Sequence, residues 1–300
     1  MIPTVSVFRY APDLRDEDRA ALRQTVLSTG VTLAEEFAET LGGLEFCGLR
    51  VEVPETNDSA ALLTALAAAF PVEDPRRGLW AVVPESLRAA ERTLVVLDVD
   101  STLIQQEVIE LLAAYAGREA EVREVTEAAM RGELDFAQSL HARVATLAGL
   151  PASVLEEVRR ALVLSPGARE LIDGVHRSGG LVAAVSGGFS QILDPLADEL
   201  GLDHAQANDL EIVDGRLTGR VLGAVVDRAA KAAALQRWAA HDHIPLVATV
   251  AIGDGANDLD MMAAAGLSVA FNAKPAVRRV AAARVDRLDS VLVLAGMTQR

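Results

Sequence analysis

Four short apolar runs punctuate the chain, each stopping at polar or glycine residues. They are 93–97 before Asp98, 181–185 before Ser186, 247–252 before Gly253 and Asp254, and 267–271 before Asn272. Continuous apolar stretches of this length, bounded by turn residues, predict strands buried on both faces. Helical spacing fills the intervals. Residues 191–200 end at Gly201, a suitable C-cap, and 231–240 form a second helix that Lys231 opens. Strand–helix alternation predicts an α/β fold with a doubly wound parallel sheet. Ligands of such sheets bind beyond the carboxyl ends of the strands. Asp98, Ser186 and Asp254 occupy those ends, so three distant pieces of chain are expected to meet in one crevice.

The interval between the first two strands is too long for one crossover helix. Val108, Leu111, Leu112 and Tyr115 repeat at helical spacing, and further helical runs follow at 120–130, 136–148 and 153–162. A helical cap over about 105–165, inserted beside the crevice, is the expected arrangement, and such a cap can act as a lid. A hairpin is expected at 211–218, where Asp214-Gly215 suits a type I′ turn; it reads as a minor feature. Residues 1–85 form a separate unit, with strands at 4–8, 44–53 and 79–83 and helices at 16–27 and 59–70. Residues 31–41 read as either helix or strand. A β-α-β-β-α-β, ferredoxin-like α+β layout fits this order. Residues 84–91 read as the linker to a second domain at 92–296.

The chain has 300 residues, enough for two domains at roughly 100–200 residues each. Hydrophobic residues make up 51% and charged residues 24%, which excludes a mainly disordered chain. Lys and Arg number 28 against 43 Asp and Glu, a formal net charge of -15. That field repels phosphate backbones and anionic lipids, so neither nucleic acid nor a membrane surface is an expected partner. An anionic substrate would need a local reversal of the field. Cys47 is the only cysteine, which excludes an intrachain disulfide and a thiolate metal cluster. The first residues lack a basic segment followed by an apolar one. The longest apolar run, 60–70, falls short of the roughly 20 residues a bilayer requires. A cytoplasmic protein is expected.

Asp98 and Asp100 are two residues apart on an extended segment, so their carboxylates face the same way. One can serve as a nucleophile or cation ligand and the other as an acid/base. The same residues also suit a polar turn in which Asp100 or Ser101 caps the next helix. Gly253 to Asp258 places Asp254, Asn257 and Asp258 in six residues after a buried strand, a set of oxygen donors suited to Mg²⁺. Ser186-Gly187-Gly188 offers a hydroxyl and free backbone amides where a helix opens, a seat for phosphate. Lys231 is a cation where a helix start favours acids.

Taken together, the order Asp-x-Asp-Ser-Thr, Ser-Gly-Gly, Lys and Gly-Asp-Gly-x-Asn-Asp resembles the haloacid dehalogenase (HAD) superfamily, with a Rossmann-like core. Within it the pattern is most similar to the phosphoserine phosphatase family. Asp98 to Glu107, Met130 to Phe136, Gln138 to Val144 and Val185 to Phe189 carry the likeness, which covers residues 92 to 290. The resemblance implies that Asp98 is the nucleophile that becomes an aspartyl-phosphate and that Asp100 is the acid and then the base. It implies Mg²⁺ held by Asp98, the backbone carbonyl of Asp100, and Asp254. Ser186 and Lys231 would grip the phosphoryl oxygens, supported by Asn257 and Asp258. Glu107 would meet the ammonium group of O-phospho-L-serine and Arg143 its carboxylate. Met130 and Phe136 would close the cap over the substrate, and Gly187 would line the pocket. The implied reaction is the last step of serine synthesis.

The N-terminal layout resembles small ACT-type amino-acid-binding domains. That resemblance implies an L-serine site there and admits a homodimer formed through this unit. The competing readings are the same framework acting on another small amino-acid-like phosphomonoester, transfer to an acceptor alcohol, and a non-enzymatic sensor. The complete set of Asp98, Asp100, Lys231 and Asp254 disfavours the last. The five histidines fall outside any recognisable catalytic pattern.

Overall fold

The apolar runs fold as strands, and among the described residues the strands number eleven. In chain order they are β1 (Thr4–Ala11), β2 (Thr32–Leu41), β3 (Leu44–Glu52), β4 (Trp80–Pro84), β5 (Leu94–Leu97), β6 (Leu181–Phe189), β7 (His204–Val213), β8 (Arg216–Leu222), β9 (Thr249–Gly253), β10 (Leu267–Phe271) and β11 (Ala283–Val285). In the computed structural model, which describes residues 4–54, 59–71, 79–130 and 133–299, they form one sheet. Its order is β2-β3-β1-β4-β11-β10-β9-β5-β6-β7-β8.

The centre of the sheet is parallel. Strand β5 pairs with β6 on one side and β9 on the other, and β10, β11 and β7 extend the parallel set outward. The chain runs from β5 through β6 to β7, then crosses back to β9. The winding therefore reverses beside β5, and Asp98, Ser186 and Asp254 stand around that reversal. All four residues of β5 are buried. Val95 and Leu97 pack on one layer with Leu171, Ile172, Val175 and Ile192, and Leu94 and Val96 pack on the other with Leu235, Trp238 and Met261. This two-sided burial explains why these strands read as unbroken apolar runs.

Four helices make the cap: Val108–Ala116, Glu119–Met130, Phe136–Ala145 and Ser153–Arg160. Its stem is a bridge between Ile104 and Leu164. The cap has a second anchor in the β7–β8 hairpin. Asp214 and Gly215 turn it with φ of 48° and 72°, the double positive φ of a type I′ turn. Backbone amides of Gly149 and Ala152 donate to the carbonyls of Leu217 and Gly215, both at 2.8 Å, and the Leu217 amide donates to the Leu150 carbonyl at 2.9 Å. The hairpin is longer than expected and ties cap to core, a larger part than the sequence suggested.

The first four strands are antiparallel neighbours. Residues 31–41, ambiguous in sequence, contain β2. Helices Asp16–Leu27 and Ser59–Ala69 follow β1 and β3, and Leu22, Val26, Leu62 and Leu66 are buried with Val7, Leu49 and Val51 on one face. The opposite face, with Phe8, Tyr10 and Phe46, merges into the main core. The Val82 amide donates to the Ala282 carbonyl at 2.8 Å, so β4 continues the sheet into β11.

Residues 84–91 are not a loose tether. Glu85–Arg88 is a helical turn, with Leu87 fully buried. The Arg88 guanidinium donates to the carbonyls of Val293 and Leu294 at 2.7 and 2.8 Å, where a cation is favoured at the C-terminus of helix Ser290–Leu294. Among the described residues no helix is long and apolar enough to cross a membrane.

Candidate active site

Asp98 directly follows β5 and its carboxylate accepts the Val99 amide at 2.7 Å. The chain then makes a tight loop in which the amides of Leu103 and Ile104 donate five residues back, to the carbonyls of Asp98 and Val99. Asp100 stays extended, and Ser101 takes a φ of 58°. The next helix starts only at Val108, so neither Asp100 nor Ser101 is its adjoining cap; Glu107 holds that position. Asp100 nonetheless accepts the Val108 amide at 2.7 Å across the loop. The helix N-terminus thereby holds Asp100 in place beside Asp98. Ser101 donates to Glu107 at 2.8 Å.

Lys231 lies one turn inside helix Arg228–His241, which Asp227 caps, so it does not open that helix. It is fully buried. Its ammonium group sits 2.6 Å from Asp98 and 2.8 Å from Asp258. Asp258 uses its other oxygen to accept the amides of Asp254 and Gly255 at 3.2 and 3.0 Å. A lysine deprived of water survives as a cation only with such partners. Burial pulls its pKa down, and the charges of Asp98 and Asp258 outweigh this, leaving it above the ordinary lysine value.

The strand of Ser186 runs on to Phe189, and the helix that follows starts at Ser190. Ser186-Gly187-Gly188 therefore does not stand where a helix opens; it is a stretch of strand that leaves its neighbour. The Ser186 hydroxyl donates to Asp100 at 3.1 Å and accepts the Gly188 amide at 2.7 Å. A Cβ at Gly188 would lie 2.8 Å from the Asp100 carboxylate and 3.0 Å from the Ser186 hydroxyl, so no larger residue fits without moving both.

Four carboxylates, on Asp98, Asp100, Asp254 and Asp258, crowd around one buried ammonium group. Burial, then the charge of Asp258, pushes the Asp98 pKa well above the ordinary carboxylate value. Burial and Glu107 push Asp100 up to about 6, against the pull of the Val108 and Ser186 hydrogen bonds. Burial and Asp258 push Asp254 up to about 6. The site thus carries more negative charge than its cations offset. Carboxylate oxygens of Asp98, Asp254 and Asp258 all lie within 4.8 Å of one another. Hard oxygen donors at this density suit a divalent cation of the Mg²⁺, Mn²⁺ or Ca²⁺ kind. Both oxygens of Asp258 already accept hydrogen bonds, which leaves Asp98 and Asp254 as the open donors.

Above these residues is a cavity of about 500 Å³ lined by Asp98, Asp100, Glu107, Phe136, Arg143, Gly187, Asn257 and others. Ser186, Lys231 and Asp258 lie buried beneath it. Arg143, on helix Phe136–Ala145, donates from Nε to the Ser139 carbonyl at 3.3 Å and forms no salt bridge among the described residues. Burial lowers its pKa from the usual arginine value while Glu107, Asp100 and Glu110 oppose the shift. Phe136 closes over Gly187, where a Cβ would lie 2.8 Å from the ring. Met130 ends its helix, and its side chain lies outside the described residues.

Two residues escaped the sequence reading. Lys274 lines the cavity with its ammonium group 3.8 Å from Asp254. Asn208, buried in β7, binds the Gly187 carbonyl. Lys274 follows the fourth apolar run by three residues, which could have flagged it; nothing local marks Asn208.

A family model described as haloacid dehalogenase-like hydrolase matches residues 95–263. The chain belongs to the haloacid dehalogenase-like hydrolase family. It is 54% identical over 288 residues to a phosphoserine phosphatase of Streptomyces coelicolor, covering 95% of this chain and 69% of that one. The unliganded crystal structure of a probable phosphoserine phosphatase from Vibrio cholerae is similar over 98% of this chain and 87% of that chain, with a TM-score of 0.73 and 38% identity. A structure described as a phospho-aspartyl intermediate analogue of phosphoserine phosphatase covers 68% of this chain and 98% of its own, with a TM-score of 0.63 and 41% identity. The HAD match spans β5 to the helix after β9, the segment that carries Asp98, Lys231 and Asp254.

Proposed function

We propose that the protein hydrolyses O-phospho-L-serine to L-serine and phosphate through an aspartyl-phosphate at Asp98. The observation that carries this reading is the pairing of Asp98 with buried Lys231 beneath a cavity whose walls present Glu107 and Arg143. The floor suits a phosphoryl group and the walls suit the ammonium and carboxylate of an amino acid.

In the first step an Asp98 oxygen attacks phosphorus, the bond from phosphorus to the serine oxygen breaks, and that oxygen takes a proton from Asp100. In the second, the Asp100 carboxylate takes a proton from water. The water oxygen attacks phosphorus and the Asp98 carboxylate leaves. A pKa of about 6 lets Asp100 hold a proton in one step and release it in the other near neutral pH. Ser186, the amides beside it and Lys231 hold the phosphoryl oxygens, and Asn257 and Asp258 support them. Phe136 closes the pocket against water, and the resemblance gives Met130 the same task. Mg²⁺, held by Asp98, the Asp100 backbone carbonyl and Asp254, would neutralise charge on the transferred group.

Ligand carboxylates must be ionised, so protons compete with the cation. Asp254 protonates as pH falls through about 6. Mg²⁺ affinity measured by calorimetry is therefore expected to weaken by about tenfold or more per pH unit as pH falls below ~6. Affinity constant across that range would remove Asp254 from the ligand set. The reading as a whole is tested by phosphate release from O-phospho-L-serine, O-phosphothreonine and glycerol phosphate, with and without Mg²⁺. Selective, Mg²⁺-dependent release from phosphoserine is expected. Even release over the panel would keep the chemistry and remove the substrate roles of Glu107 and Arg143.

The N-terminal unit is proposed as a ferredoxin-like, ACT-like domain, residues 1–85, joined to a phosphatase domain at 92–296. Its β-α-β-β-α-β order and the strand order β2-β3-β1-β4 support that reading. It would bind L-serine and pair in a homodimer. Calorimetry of the full chain with L-serine, in competition with a non-hydrolysable phosphoserine analogue, separates this site from the cavity. A reducing cytoplasm suits the single, buried cysteine.

A further inference from the structure

Strands β6 and β7 are paired through Ala183, Ala184 and Val185, and again at Phe189 opposite Asn208. Between these points Ser186, Gly187 and Gly188 swing away from β7, so their backbone groups have lost their ladder partners. This is the segment that faces the phosphoryl seat. A departure of this kind needs replacement hydrogen bonds, since the region is enclosed.

Two side chains supply the replacement: the Ser186 hydroxyl accepts the Gly188 amide, and Asn208 binds the Gly187 carbonyl. Asn208 is 1% exposed. Its Nδ2 donates to the Gly187 carbonyl at 2.8 Å. Its Oδ1 accepts the Val226 amide at 2.8 Å. Val226 immediately precedes Asp227, which caps helix Arg228–His241 by accepting the Ala230 amide at 2.8 Å. Lys231 follows one turn in, its amide bonded to the Asp227 carbonyl at 3.0 Å. One carboxamide therefore joins the Ser186–Gly188 segment to the start of the helix that carries the lysine. These two pieces of chain are about forty residues apart and share no strand pairing.

We propose that Asn208 is a positioning residue for phosphoryl transfer, setting the distance between the Gly187–Gly188 backbone and Lys231. The inference rests on the reading of Ser186, Gly187 and Lys231 as the groups that hold the phosphoryl oxygens. A carboxamide suits the post because it donates and accepts in one plane. Aspartate keeps the shape and the acceptor but loses the donor toward Gly187. Leucine keeps the approximate volume and loses both. The groups affected touch the phosphoryl group and not the amino-acid part of the substrate. Loss of Asn208 is therefore felt in kcat, on every phosphomonoester alike, and in the affinity for an anion that resembles the transition state.

The test compares Asn208→Asp and Asn208→Leu with the unaltered chain. Readouts are kcat and KM on O-phospho-L-serine and on an aryl phosphate, binding of orthovanadate by calorimetry, and thermal unfolding. The expected result is a fall in kcat of at least about tenfold on both substrates, KM within about threefold, and vanadate weakened in step with kcat. A folded Asn208→Asp variant with kcat and vanadate affinity within about twofold of the unaltered chain would overturn the inference. So would rapid amide exchange at Val226 in the unaltered chain, which needs no variant to fold. Failure of the underlying reading looks different: the unaltered chain itself would neither release phosphate from phosphoserine nor bind vanadate.

Discussion

Replacing Asp98 by asparagine abolishes phosphate release from O-phospho-L-serine, with kcat falling by at least about 10⁴-fold, while the fold is kept or strengthened. The two halves of this result have one cause. Asp98 sits among three other carboxylates and is buried, so its ionised form is held at a cost, which is why its pKa stands well above the ordinary value. A carboxylate whose pKa is raised in the folded protein favours folding below its unfolded value and loses that contribution as pH rises through the folded one. At neutral pH the charge works against the fold. Asparagine has the same shape and no charge. Lys231 keeps Asp258 at 2.8 Å, so no cation is orphaned. Thermal unfolding in the absence of divalent cations at neutral pH is expected to show an unchanged or higher midpoint for Asp98→Asn. The midpoint gain on adding Mg²⁺ is expected to shrink in the variant, because one ligand charge is gone. A large drop in midpoint alongside lost activity would mean that Asp98 is there for structure.

Arg143→Ala is expected to separate binding of the amino acid from the chemistry. The guanidinium lines the cavity without an ion-pair partner among the described residues, and its environment is anionic through Glu107, Asp100 and Glu110. A planar fork in that setting is free to take a carboxylate in two hydrogen bonds. Its loss is expected to lower kcat/KM for phosphoserine by roughly 10²–10³-fold, since a charge-assisted pair in a partly dry pocket disappears. An aryl phosphate has no such carboxylate, and its kcat/KM is expected to stay within about threefold. Equal losses on both substrates would refute the substrate-carboxylate role. The contrast with Asn208 is useful, because that side chain is argued to affect both substrates equally.

The positions of Asp98 and Asp254 were legible because each follows an unbroken apolar run, and a strand buried on both faces has few other ways to look. The cap was legible from the surplus of helical spacing between the first two strands. Other features arise only when distant segments meet. A lone lysine on a helix reads as surface charge, and Lys231 is buried because Asp98 and Asp258 arrive from two other strand ends. Asn208 earns its role from a register break between β6 and β7, which no local pattern announces. The continuation of the N-terminal strands into the same sheet depends on β11, three residues long, meeting β4. Residues 84–91 read as a linker because Pro84 is helix-breaking and Glu85, Arg88 and Glu91 are charged. Its packing rests on Leu87 and on the carbonyls that Arg88 finds 205 and 206 residues away.

The most direct test of the central claim is the site of the phosphoryl group during turnover. Protein mixed with excess O-phospho-L-serine and Mg²⁺ is quenched in acid within one turnover, digested, and the modified residue located by mass spectrometry. The account predicts an acid-stable, base-labile acyl-phosphate on Asp98 that disappears in Asp98→Asn. A phosphoryl group on Ser101 or Ser186, or direct hydrolysis with no modified residue in an active sample, would contradict it.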